Sequence, residues 1–214
     1  MCDSFFSHVD FYKYSLSETD YEIEEGEKSG KALKDRVGLA FENHRRRIWE
    51  HFGFEVRKRR ELAKWDADWS VYWKGKLVVQ EEDKAHYVDS CFHIRAICEF
   101  AKTIESYLSN GVEVPLLLLH SFTTYKKYQE KLDELKPIFA PEILAEIEKK
   151  VRYTSLVKRD RLSKEHWFPK SNSCYALNAD TEMIEEDIRM ILSLIPKQKE
   201  SKKIHCKLKI VDKL

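Results

Sequence analysis

Asp68, Glu82 and Lys84 are the residues of the stretch 64–84 whose types and spacing could do chemistry together. Side chains alternate faces along an extended strand, so Gln80, Glu82 and Lys84 share one face while Val79, Glu81 and Asp83 share the other. Carboxylates on Glu82 and, across the strand pair, on Asp68 are hard oxygen ligands suited to Mg²⁺, for which Mn²⁺ can substitute. A lysine ammonium beside them could contact a phosphate oxygen or an attacking water. Phosphodiester hydrolysis needs that combination. A water must be activated in line with the leaving oxygen, and positive charge must sit where the phosphorane oxygens develop negative charge.

For these groups to meet, the chain must double back. The stretch 64–84 reads as two strands rich in aromatic and β-branched residues, joined by a tight turn at Lys74-Gly75 where glycine supplies a positive φ. Upstream, Val37, Phe41, His44, Ile48 and Phe52 form an apolar helical stripe over residues 31–52, and Gly53 supplies the stop. Glu42 lies beside that stripe, next to Phe41, where a helix could carry it to the sheet. Residues 54–59 read as the strand before the hairpin. Residues 85–88 extend its second strand and would put His86 on the Glu82/Lys84 face.

Downstream, residues 89–108 predict an amphipathic helix, with Phe92, Ile94, Ile97, Phe100, Ala101, Ile104 and Leu108 to one side. The continuous apolar run 114–119 is then a buried parallel strand. A helix capped by Thr123 or Thr124 runs to Leu135, a short one spans 141–150, and residues 152–157 read as another strand. A loop over 158–179, with Lys158, Arg159, Arg161 and Trp167, carries the basic and aromatic residues that a nucleic acid would need. A last helix runs from Asp180 or Thr181 to about Leu194. In the tail, Ile204, Cys206, Leu208 and Ile210 alternate with Lys203, His205, Lys207 and Lys209, the pattern of a half-buried strand whose lysines guard an edge.

This arrangement resembles the core of the PD-(D/E)xK nuclease superfamily, in which an acid opens one hairpin strand and Glu-x-Lys follows a hydrophobic run on the next. Here those positions fall on Asp68, on Leu77-Val78-Val79 and on Glu82-Asp83-Lys84. The family's helix before the hairpin often carries a further acid, a place that Glu42 matches. The resemblance covers residues 36–122. Ala67 stands where the family has proline, and Asp66 shares a face with Asp68, so the first acid is one of these two, with Asp68 the nearer to the turn. The resemblance implies an α/β fold with a restriction-endonuclease-like central mixed β-sheet flanked by helices. It further implies a Mg²⁺-dependent endonuclease acting on DNA, expected to be double-stranded, and most similar to a type II restriction enzyme. A Holliday-junction resolvase or repair nuclease is the alternative within that class, and a catalytically inactive nucleic-acid-binding protein the alternative outside it. Asp68, Glu82 and Lys84 would be catalytic; Glu42, Asp68 and Glu82 would hold metal; Gln80, His86, Lys158, Arg159 and Arg161 would contact nucleic acid. A single domain cuts one strand, so a homodimer is expected.

Composition sets the frame. The 214 residues are enough for one substantial core, and 35% charged beside 12% aromatic residues suits a folded chain. Net charge is only +1, yet basic clusters at residues 45–47, 57–60 and 158–159 are set against an acidic start. A neutral total can conceal a basic cleft. Residues 1–30, with aromatics ahead of an acidic run, read as a partly ordered arm before a single domain over 31–214. The five cysteines form no zinc-like pair, and the seven-residue spacing of Cys91 and Cys98 suggests buried thiols on one helix face. No leader or membrane-length run is visible, so an intracellular, cytoplasmic protein without a membrane partner is expected. No glycine-rich phosphate loop, HExxH helix or serine-triad signature offers a rival chemistry.

Overall fold

The computed structural model describes residues 3–28, 30, 33–58, 67–84, 91–121, 125–155 and 181–196. In chain order the elements are α1 (Asp3–Lys28), α2 (Leu33–His51), β1 (Glu55–Arg57), β2 (Trp69–Trp73), β3 (Lys76–Lys84), α3 (Cys91–Ser109), β4 (Leu116–Ser121), α4 (Tyr125–Leu135), α5 (Pro141–Lys150), β5 (Val151–Ser155) and α6 (Thr181–Ser193). A short 3₁₀ turn, Lys136–Ile138, separates α4 from α5.

The strands form one mixed sheet in the order β1-β2-β3-β4-β5, antiparallel from β1 to β3 and parallel from β3 to β5. The β2–β3 turn is built as the sequence requires. Lys74 and Gly75 take φ values of 51° and 77°, the paired positive angles that match the twist of two antiparallel strands. One feature of the hairpin has no sequence signal. The register passes from Val71–Val79 to Tyr72–Leu77, which makes Val78 an extra residue, a β-bulge. Leu77 and Val79 therefore point to opposite faces although they are two residues apart.

Both faces are covered. Helices α1, α2 and α6 pack on one side over Trp69, Val71, Val79 and Leu118. Helices α3, α4 and α5 pack on the other over Leu117, Leu119 and Val151. A strand buried on both faces needs apolar residues at every position, which accounts for the unbroken leucines of β4. In α3, Ile97, Phe100, Ala101 and Ile104 face the core as expected, but Leu108 is 41% exposed and Tyr107 fills the buried place. Cys98 is half-buried at the edge of that core.

The N-terminal segment, read as a partly ordered arm, is helical over Asp3–Lys28 and packs on the domain. Its acidic residues mask a helical face of Val9, Tyr12, Ser15, Leu16 and Thr19, all buried, which lies along α2 in the helix α1. Strand β1 is shorter than residues 54–59. The proposed strand extension 85–88, the loop 158–179 and the tail strand 203–210 lie outside the described residues.

Candidate active site

Register brings the candidate residues together. Trp69 pairs with Glu81 across the hairpin, so Asp68, one residue before it, comes level with Glu82. Asp68 Oδ2 accepts a hydrogen bond from the main-chain N–H of Asp83 (2.7 Å), which fixes the acid against the end of β3. The Lys84 ammonium donates to Glu82 Oε1 and stands 3.6 Å from Asp68 Oδ2. One cation is thus shared by two carboxyls, as their order in the sequence predicts.

Glu42 reaches this end of the sheet from α2. The Trp69 indole N–H donates to the Glu42 carbonyl (3.0 Å), tying the helix to the residue next to Asp68, and Lys58 Nζ donates to Glu42 Oε2 (2.6 Å). On the α3 side, Glu99, held by Arg95 Nε (2.8 Å), adds negative charge near Glu82. Sequence reading did not single out Glu99. It lies four residues from Arg95 and one from Phe100, a position that looks like an ordinary surface pair.

The electrostatics follow from burial and charge count. Burial pushes the Glu82 carboxyl up to about 8, the Asp68 carboxylate pushes the same way, and Lys84 opposes both. Asp68 is raised too, by burial first, with Glu42 adding and Lys84 and the Asp83 N–H subtracting. For Lys84, burial lowers the pKa, but Glu82 and Asp68 more than offset it and the net shift is upward. The ammonium is therefore firmly cationic, and the two acids compete for it. Glu82 Oε2 is a buried acceptor with no hydrogen-bond partner among the described residues.

Burial bears on two of the candidate residues. Lys84 is not on an open face, since its side chain is only 13% exposed. Gln80, expected to contact nucleic acid, is 1% exposed beneath the helices of the α3 side and has no surface to offer. His86, Lys158, Arg159 and Arg161, and the rival acid Asp66, lie outside the described residues.

The opposite face of β3 holds a buried charged cluster that the sequence reading missed. Arg45 Nε donates to Glu81 Oε1 (2.5 Å), and its Nη1 donates to Asp187 Oδ2 (2.5 Å) and Tyr12 Oη (3.1 Å). The Trp49 indole donates to the other oxygen of Glu81. Glu81, Asp83 and His120 offer ligand atoms within 4.8 Å of one another and could hold a metal ion. A signal was present. Arg45 falls four residues from both Phe41 and Trp49, and Asp187 falls between Ile184 and Ile191, so each helix carries a charge, of opposite sign, inside its apolar stripe.

Comparison with protein-family models, curated proteins and solved structures finds no match to this chain.

Proposed function

We propose that the protein is a Mg²⁺-dependent endonuclease that hydrolyses DNA phosphodiester bonds, of the PD-(D/E)xK class and most similar there to type II restriction enzymes. The observation that carries this reading is the meeting of Asp68, Glu82 and Lys84 at one end of the hairpin, with a helix-borne acid, Glu42, alongside. The sheet order supports it as well. An antiparallel hairpin followed by a helix and a parallel fourth strand is the frame expected from the resemblance.

The donor set fits a hard divalent cation. Two carboxyls face one ammonium, and Glu82 retains a buried, unpartnered oxygen, so a dication that displaces the Glu82 proton would find two carboxylate ligands there. Asp68 and Glu82 would hold Mg²⁺ or Mn²⁺, with Glu42 acting from farther out. When bound, the ion would supply Lewis acidity and lower the pKa of a coordinated water. The protein's own contribution is positional. The Asp83 N–H and the register with β3 fix Asp68, and strand alternation sets Glu82 and Lys84 on the same side. Lys84, cationic throughout the neutral range, places charge where the phosphorane oxygens develop it and can orient the attacking water.

The reading is tested by digesting mixed plasmid DNA with the purified protein and Mg²⁺ and sequencing the ends. Discrete ends at a common sequence are the expected result. Uncut DNA, with binding retained, would instead identify a nucleic-acid-binding protein that has lost catalysis.

A further inference from the structure

Behind β3, on the side away from the Asp68–Glu82–Lys84 cleft, Glu81, Asp83 and His120 converge under α2 and α6. Glu81 and His120 are fully buried and Asp83 is 6% exposed. Neither carboxyl oxygen of Asp83, and neither ring nitrogen of His120, has a hydrogen-bond partner among the described residues. Buried polar atoms are almost always paired in folded proteins, so an unpartnered carboxyl and an unpartnered imidazole side by side call for an occupant.

The charge count points the same way. Three carboxyls, Glu81, Asp83 and Asp187, surround one guanidinium, Arg45. Arg45 bonds Glu81 and Asp187 and makes no bond to Asp83. With all three acids ionised, two negative charges lack a counter-ion, which is the charge of one dication. A carboxylate offers about four lone-pair directions. Glu81 gives one hydrogen bond's worth of each oxygen to Arg45 and Trp49 and keeps the rest. A neutral imidazole such as that of His120 is a common metal ligand. Asp187 Oδ1 lies 3.7 Å from His120 Nε2 and is itself unpartnered among the described residues. A carboxylate there would orient the imidazole and leave Nδ1 for the ion.

We propose that Glu81, Asp83 and His120 form a buried site for one divalent transition-metal ion of the Zn²⁺ kind, which ties β3 to β4 beneath the α2–α6 layer. An imidazole among the donors favours that class over Mg²⁺. The site is separate from the cleft in face and in ligands, and it does not depend on the nuclease reading. A proton held between Asp83 and Glu81 is the competing way to quiet the same charge.

The test is metal content and thermal stability of the full chain, loaded with Zn²⁺ and then passed through a desalting column. The expected result is roughly one equivalent of zinc per chain in the wild type and in Glu82→Gln, with clear loss in His120→Gln and Asp83→Asn. Chelation should lower the wild-type Tm by several degrees, and Zn²⁺ should restore it, while His120→Gln should respond to neither. The wild-type measurement stands even if a variant fails to fold. A wild type that retains no zinc and whose Tm ignores both chelator and Zn²⁺ would overturn the proposal in favour of the shared proton. Zinc that is lost in Glu82→Gln but kept in His120→Gln would overturn it in favour of the cleft.

Discussion

Glu82 sits under opposing influences in the cleft, and its protonation gives a direct readout. Its carboxyl is raised from 4.5 to about 8, by burial and then by Asp68. Between those values the folded protein holds a proton that the unfolded chain has released, so unfolding free energy falls as pH rises through that window. Asp68 and Asp83, also raised, act with the same sign. The metal-free protein should therefore lose Tm from about pH 5 to about pH 8, and Glu82→Gln should flatten the slope. Equal slopes in scans run with chelator would remove Glu82 as the responsible group. Lys84 calls for a different expectation from an exposed lysine. Lys84→Ala should cost roughly a hundred-fold or more in cleavage rate. It also removes a cation lying between buried Glu82 and half-buried Asp68, so folding should weaken measurably, by more than the ~0.5 kcal/mol of a surface change. Denaturant titration beside a Ca²⁺-supported binding assay separates the two effects. Asp68→Ala should abolish cleavage while Asp66→Ala retains it, because Asp68 is the acid that the Asp83 N–H fixes beside Lys84. The reverse outcome in the same cleavage assay would move the first ligand two residues upstream.

At the scale of elements, α2 is anchored to the sheet by charge as well as by its apolar stripe. Arg45→Met would leave Glu81 and Asp187 buried without their guanidinium, and such a break costs about 3–5 kcal/mol. Leu118→Ala in β4, a cavity between the layers, should cost about 2–5 kcal/mol. Urea unfolding of both variants checks whether the charged anchor matters as much as a core leucine; an Arg45→Met protein as stable as wild type would show that the cluster is dispensable. Several elements were legible in the sequence because one signal dominated each. Glycine with alternating aromatic and β-branched residues marked the hairpin, four consecutive leucines marked β4, and Pro141 marked the first turn of α5. Helix α1 was not legible, because its acids outweighed a face that mixes Tyr12 and Leu16 with Ser15 and Thr19. The Val78 bulge was silent for a related reason: a valine extra to the register looks like any other strand valine. The candidate site was legible in its residues, since alternation alone puts Glu82 and Lys84 together. Its depth was not, because burial of Lys84 and Gln80 depends on helices that strand periodicity does not describe.

For the whole molecule, the two faces of the sheet carry different work. One bears the cleft end with Glu82 and Lys84, and the other holds the Arg45 cluster that fastens α1, α2 and α6. Strand β3 belongs to both, its odd-numbered acids turned inward and its Glu82 and Lys84 turned to the cleft. On the proposed nuclease reading, one cleft per chain requires a two-fold dimer to cut both strands of a duplex, and sedimentation with a short duplex should then show two chains per DNA. One chain per duplex, with nicking only, would instead give a strand-specific enzyme. The most direct measurement is the single-turnover rate of plasmid cleavage in Mg²⁺ by the wild type and by Glu82→Gln, at equal DNA occupancy. The account predicts that the wild type cuts and that removing this one carboxylate slows it by about a hundred-fold or more. A wild type that leaves the plasmid intact, or a Glu82→Gln protein that cuts at the same rate, would contradict it.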